Sequence, residues 1–131
     1  MGEDNLEKNP RIIVIQKLYS HFLNKENEIS YPKHRFRKFI KDTVSGTIER
    51  EEFLLENLKT ILKDEFKPQR TDLILKLMIL SATFELVFSH KTPIKVIVSE
   101  YVKISDFFLE TAHKRYLNAI LDTVSKNVRK D

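Results

Sequence analysis

The amino-acid sequence predicts an all-α fold, a compact bundle of about six to seven helices. Three observations carry that expectation. Apolar residues recur at three- and four-residue spacing along nearly the whole chain, as in helices with one buried face. Glycine occurs only at positions 2 and 46, too few for the tight turns of a β-rich fold. The four prolines, at 10, 32, 68 and 93, stand where periodic segments begin or break, and proline is well tolerated at the first position of a helix. With 131 residues, 41% of them hydrophobic, the chain can bury a real core as one domain.

Asn9-Pro10 opens the first helix, with Asn9 as N-cap and Ile12, Ile15, Leu18, Tyr19, Phe22 and Leu23 as its apolar face. Ser30-Tyr31-Pro32 opens a second in the same way, burying Phe36, Phe39, Ile40 and Val44. Gly46 fits the left-handed residue that ends it. Thr47 then caps a third helix, with Glu49, Glu51 and Glu52 at the positive end of its dipole and Leu54, Leu55, Leu58, Ile61, Leu62 and Phe66 facing inward. Pro68 marks the break after it. Residues 71–88 are apolar nearly all round, which predicts a central helix covered on most sides. Thr92-Pro93 caps a fifth helix with the stripe Ile94, Ile97, Val98, Tyr101, Val102, Ser105 and Phe108. The last runs from about Thr111 and offers Tyr116, Leu117, Ile120, Val124 and Val128. No repeat or linker divides the chain. The expected organisation is one domain over 1–131, with 1–9 flexible, amino-terminal helices over 10–66 and carboxy-terminal helices over 70–130.

Several chemistries find no support. Cysteine is absent, which excludes disulfides, thiolate metal sites and a cysteine nucleophile. Two glycines so placed cannot build a phosphate-cradling loop, and no paired-histidine metal spacing occurs. The histidines at 21, 34, 90 and 113 lie on separate segments near charged residues and read as surface groups. The expectation is a non-enzyme with no catalytic residues, metal or cofactor. The apolar run Leu73 to Phe88 is interrupted by Lys76 and Glu85 and is shorter than the roughly 20 residues that span a bilayer. The amino terminus lacks a signal-peptide pattern. A soluble cytoplasmic protein without a membrane partner is expected. The net charge of +4, with its excess in the second half, is compatible with a nucleic-acid partner.

Three basic features are candidates for such binding. Lys33, Arg37 and Lys41 line up at four-residue spacing on the second helix; the reading is either a solvated face or a phosphate-tracking stripe. Around the first helix lie Lys8, Arg11, Gln16, Lys17 and Tyr19, with Arg11 and Lys17 expected on the polar face. An exposed Tyr19 could stack an unpaired base, whereas core packing is its alternative. At the start of the last helix, His113, Lys114, Arg115, Tyr116 and Asn118 put two cations at the positive end of a helix dipole, which a phosphate would offset.

Three blocks, in order, resemble the NusB family of transcription antitermination factors. Arg11 to Tyr19 resembles its opening helix, with Arg11, Gln16, Leu18 and Tyr19 at the usual spacing. Arg70-Thr71-Asp72 through Phe84-Glu85-Leu86 resembles its central helix. Thr92 to Asp122 resembles its most distinctive block, with Pro93, Lys95-Val96, Glu100, Val102, Phe108, Asn118 and Leu121-Asp122 in place. The resemblance implies two three-helix subdomains packed together. It also implies binding of single-stranded boxA RNA jointly with the small-subunit ribosomal protein NusE, loading onto RNA polymerase with other Nus factors, and promotion of ribosomal RNA transcription. The RNA contacts it implies fall on Lys8, Arg11, Gln16, Tyr19, Arg115 and Tyr116, with Lys114 and Asn118 beside them, so that the two ends face one strand. It leaves open a homodimer in the free state. The departures are Glu3, Asp4 and Glu7 where members often carry arginines, and Ala119 where many have glycine. Two alternatives stand beside this reading. One is a purely protein-binding helical bundle. The other is an RNA-binding accessory domain like those fused to small-subunit rRNA methyltransferases, although residues 1–131 contain no methyltransferase domain.

Overall fold

The computed structural model describes residues 8–129, all helical or irregular, with no strand among them. Most of the expected flexible segment, 1–7, lies outside the described residues. Six α-helices follow in order: α1 (Pro10–Leu23), α2 (Arg37–Glu49), α3 (Glu51–Leu62), α4 (Leu73–Phe88), α5 (Ile94–Phe108) and α6 (Thr111–Val128). Two short 3₁₀ turns, Lys63–Glu65 and Pro68–Arg70, join α3 to α4.

α4 is the centre of the bundle, as its sequence predicts. Leu75 and the run from Leu77 to Leu86 are all buried, and α4 packs on each of the other five helices. Asp72 caps it, its carboxylate accepting from the Leu75 N–H. At the other end Arg129 supplies what a glycine cap usually does: its guanidinium donates to the carbonyls of Leu86 (2.7 Å), Ser89 (2.6 Å), Glu85 (3.2 Å) and Thr92. This ties the end of α6 to the end of α4. Because Tyr101 meets Ser81, Lys114 meets Asp106 and Tyr116 lies beside Leu75, α5 runs antiparallel to α4 and α6 runs parallel to it. One hydrophobic cluster draws on all six helices, including Ile12, Ile40, Leu54, Leu77, Ile97 and Leu117.

Four boundary expectations are corrected. α2 begins at Arg37 and not at Pro32. Its start is organised by His34, whose Nδ1 accepts the Phe36 N–H (2.9 Å) and whose carbonyl accepts the Arg37 N–H (3.1 Å). Gly46 does not end the helix in a left-handed conformation; it lies inside α2, where a Cβ would stand 2.2 Å from Phe84 Cζ. The glycine is there for close approach of a ring. Thr47 consequently caps nothing and is buried within α2, Glu49 becomes the last residue of α2, and α3 starts after the single residue Arg50. Thr92 makes no side-chain cap for α5, whose N-cap position is Pro93.

Candidate nucleic-acid interface

α1 carries the first set of candidates, and its phase is fixed by a buried ion pair. Asn9 caps the helix by accepting from the Arg11 N–H at 2.9 Å. The Arg11 side chain then turns inward, correcting its expected polar-face position. Its Nε donates to Glu85 Oε2 at 2.9 Å and Nη2 to Oε1 at 2.6 Å, a two-pronged contact with a wholly buried carboxylate. The Tyr101 hydroxyl donates to the same carboxylate at 2.5 Å and meets Ser81 Oγ at 2.6 Å. The guanidinium also lies over the Phe39 ring, 4.8 Å from its centroid, and Glu100 stands 3.9 Å away. Burial acts to lower the Arg11 pKa, but the hydrogen bond and charge of Glu85 outweigh it and hold it above the ordinary value. Tyr101 titrates well above the ordinary tyrosine range, because burial and the Glu85 charge both disfavour the phenolate. Arg11 is thus the bolt joining α1 to α4 and α5, and it is not available on the surface.

With Arg11 pointing inward, Gln16, Tyr19 and Ser20 point out. Tyr19 is 37% exposed and Gln16 is exposed, so the core-packing alternative for Tyr19 does not hold. Lys17 is half-buried beside a polar cleft shared with His21 and Asn27. Lys8 is exposed, and His34 Nε2 donates to its carbonyl at 2.7 Å. Since His34 Nδ1 already accepts, the proton belongs on Nε2. This clasp brings the segment holding Lys33 against Lys8. Lys33 precedes α2, so the predicted stripe reduces on that helix to Arg37 and Lys41, both exposed.

The start of α6 forms a second, separate patch. Lys114 pairs with Asp106 at 2.5 Å, Arg115 is exposed, and the Tyr116 hydroxyl donates to the Glu65 carbonyl at 2.5 Å. Burial, then the Glu65 charge, raises the Tyr116 pKa. Asn118 is exposed along a shallow groove between α5 and α6 with Val98, Val102 and Asp122. No hydrogen bond or ion pair joins the two patches among the described residues. Arg11 meets Glu85, whereas Tyr116 lies beside Leu75, ten residues earlier on α4, which is about 15 Å along its axis. What the structure does bring to Tyr116 and His113 is the α3–α4 connection, with Lys67 and Arg70 in the same cleft. Sequence reasoning missed these two cations, since nothing local ties them to α6. It also missed Glu85 as the partner of Arg11. The signal was there in a lone acid within an apolar helix, which demands a buried partner.

The NusB family model matches residues 8–126. The chain belongs to the NusB family. Curated relatives bear the name transcription antitermination protein NusB. That of Bradyrhizobium sp. (strain BTAi1 / ATCC BAA-1182) is 30% identical over 118 residues, covering 90% of this chain and 70% of the relative. That of Sinorhizobium fredii (strain NBRC 101917 / NGR234) is 27% identical over 116 residues, covering 88% and 72%. The match to the Maricaulis maris (strain MCS10) relative is 26% identical over 93 residues, covering 71% of this chain and 58% of that protein. Among solved structures, T. maritima NusB superposes with a TM-score of 0.78 at 19% identity, over 91% of this chain and 89% of that one, which establishes the shared fold. NusB proteins are antitermination factors and not enzymes. None of the helices described is long and apolar enough to cross a membrane, and no group of three or more potential metal ligands occurs among the described residues.

Proposed function

We propose that this NusB-family chain is a cytoplasmic RNA-binding antitermination factor that takes up single-stranded boxA-type RNA together with the ribosomal protein NusE. In this reading the complex joins RNA polymerase and other Nus factors in ribosomal RNA transcription. Family membership over nearly the whole chain supports the class. The observation that carries the site is the outward face of α1, where exposed Gln16 and Tyr19 stand on a helix whose phase is locked by the Arg11–Glu85 pair. An aromatic ring stacks any base, the neighbouring amide reads an edge, and Lys8 with Lys33 supplies phosphate contacts. Arg115, with Lys114, Tyr116 and Asn118 near it, is the second contact region.

The test is a titration of labelled boxA-type RNA at two salt concentrations, with and without the ribosomal partner. Binding that weakens with salt and tightens with the partner is expected; no binding under any of these conditions sinks the reading. The inward turn of Arg11 removes one cation from the surface and so favours a second reading, a bundle that chiefly binds protein. There the ribosomal partner binds tightly and RNA adds nothing to its affinity.

A further inference from the structure

A further cluster of cations adjoins the second patch. It lies in the open groove formed by the last turn of α3 and the 3₁₀ turn Pro68–Arg70, lined by Lys59, Lys63, Lys67 and Arg70 with Asp64 as its one acid. Lys59 has a distant partner, Glu56 at 3.9 Å, while Lys63, Lys67 and Arg70 are exposed and form no ion pair with the described residues. The backbone beneath them is held firmly. Phe66 is buried between the cations, the Thr71 hydroxyl donates to the Lys67 carbonyl at 2.7 Å, and the Arg70 N–H donates to the same carbonyl at 3.0 Å. Lys63 takes φ 50° and ψ −124°, a conformation that suits glycine and strains any residue with a Cβ. A lysine there spends stability to put an ammonium at the groove's rim, about 6 Å beyond Lys59 along the helix axis.

We propose that this groove is a phosphodiester track for single-stranded RNA, extending the RNA surface from the start of α6 around the α3–α4 connection. The inference rests on the RNA-binding reading above and adds a path to it. Lys67 and Arg70 line both this groove and the cleft that holds His113 and Tyr116, so a strand leaving Tyr116 meets these cations next. Open lysines that grip phosphates as point charges, with no aromatic ring among the groove's exposed residues, suit backbone contact without base selection.

The experiment compares the full chain with Lys63→Gln/Lys67→Gln/Arg70→Gln, using boxA-type RNA alone and the same RNA extended at either end by a run of uridines. Each phosphate contact on a single strand contributes about 0.7 to the slope of log K against log salt. The extended RNA should bind the natural chain with the steeper slope, and the triple variant should lose ~2 of that slope on the extended RNA and less on the short RNA, which reaches only the Lys67 and Arg70 end of the groove. A second triple variant, Lys91→Gln/Lys95→Gln/Lys103→Gln, removes equal charge from other exposed positions and should leave the slope alone. Lys63→Gly should lower the slope by about 0.7 without lowering the melting temperature, which separates the charge from the fold. If the groove variant binds the extended RNA as the natural chain does, or the control variant loses as much, the track is overturned and the RNA-binding reading stands. If neither RNA binds the natural chain, both are overturned.

Discussion

Arg11 shows how a side chain that looks like a surface contact can be a structural member. Glu85 is wholly buried, and an unpaired carboxylate in that position would be costly to desolvate. Arg11→Ala leaves it unpaired and should destabilise the fold by about 3–5 kcal/mol in chemical denaturation. Replacing Arg11 and Glu85 together by leucine should recover most of that loss, because the penalty belongs to the orphaned charge. Arg11→Lys should not substitute well, since an ammonium cannot reach both carboxylate oxygens in one plane. Tyr101 completes the network and gives it a pH signature. Its folded pKa is well above the ordinary value near 10, so below about pH 10 both states keep the proton and its contribution is whole. Above that the unfolded chain releases the proton and the folded one does not, so stability falls with rising pH by up to about 1.4 kcal/mol per unit. Tyr101→Phe should start less stable and lose stability less steeply on the alkaline side, read from melting temperatures between pH 8 and 11.

The helices themselves were largely legible, and the exceptions have physical causes. α1 and α6 carry continuous periodicity, α4 is apolar nearly all round, and all three lie where the sequence puts them. α1 and α4 also have side-chain caps, from Asn9 and Asp72, the first of them read in advance. The boundaries of α2 failed because a glycine near the end of a periodic run has two uses, a left-handed cap or a place for a neighbour to press in. Only the tertiary fold chooses between them. Here the neighbour is Phe84, and its ring occupies the space a Cβ would need. Gly46→Ala should therefore destabilise by about 1–3 kcal/mol through overpacking, although alanine is the better helix former. A gain in melting temperature would show that α2 can shift away from α4. The start of α2 was hidden for a related reason: Ser30-Tyr31-Pro32 has the form of a helix start, while the group that organises the turn is the His34 ring, a type with little cap preference.

At the scale of the whole molecule, the candidate interface is two regions, one on α1 and one at the start of α6, with no hydrogen bond or ion pair between them among the described residues. Three- and four-residue spacing reveals which residues share a helix face, but not which faces of different helices adjoin, so it is the family resemblance alone that puts Tyr19 and Tyr116 on one strand. Within the bundle each is fixed by its own anchor. Tyr116 is anchored by its hydroxyl to the Glu65 carbonyl, near the start of α4, while the α1 face is set by a bolt near its end. If one RNA strand crosses both regions, losses at each should be independent, because the two sets of residues share no partner among the described residues. Gln16→Ala/Tyr19→Ala should weaken binding of a long RNA by about 1–3 kcal/mol through lost stacking. Arg115→Ala should weaken it separately, and the combined variant should lose the sum to within about 0.5 kcal/mol. Shortening the RNA from one end should abolish sensitivity to one set of substitutions before the other, and the order gives the direction of the strand. Because Gln16, Tyr19 and Arg115 are exposed, their variants should unfold at the temperature of the natural chain. Sensitivity that vanishes for both sets at the same RNA length would mean that the two regions read the RNA as one site, brought closer together in the complex than in the free protein.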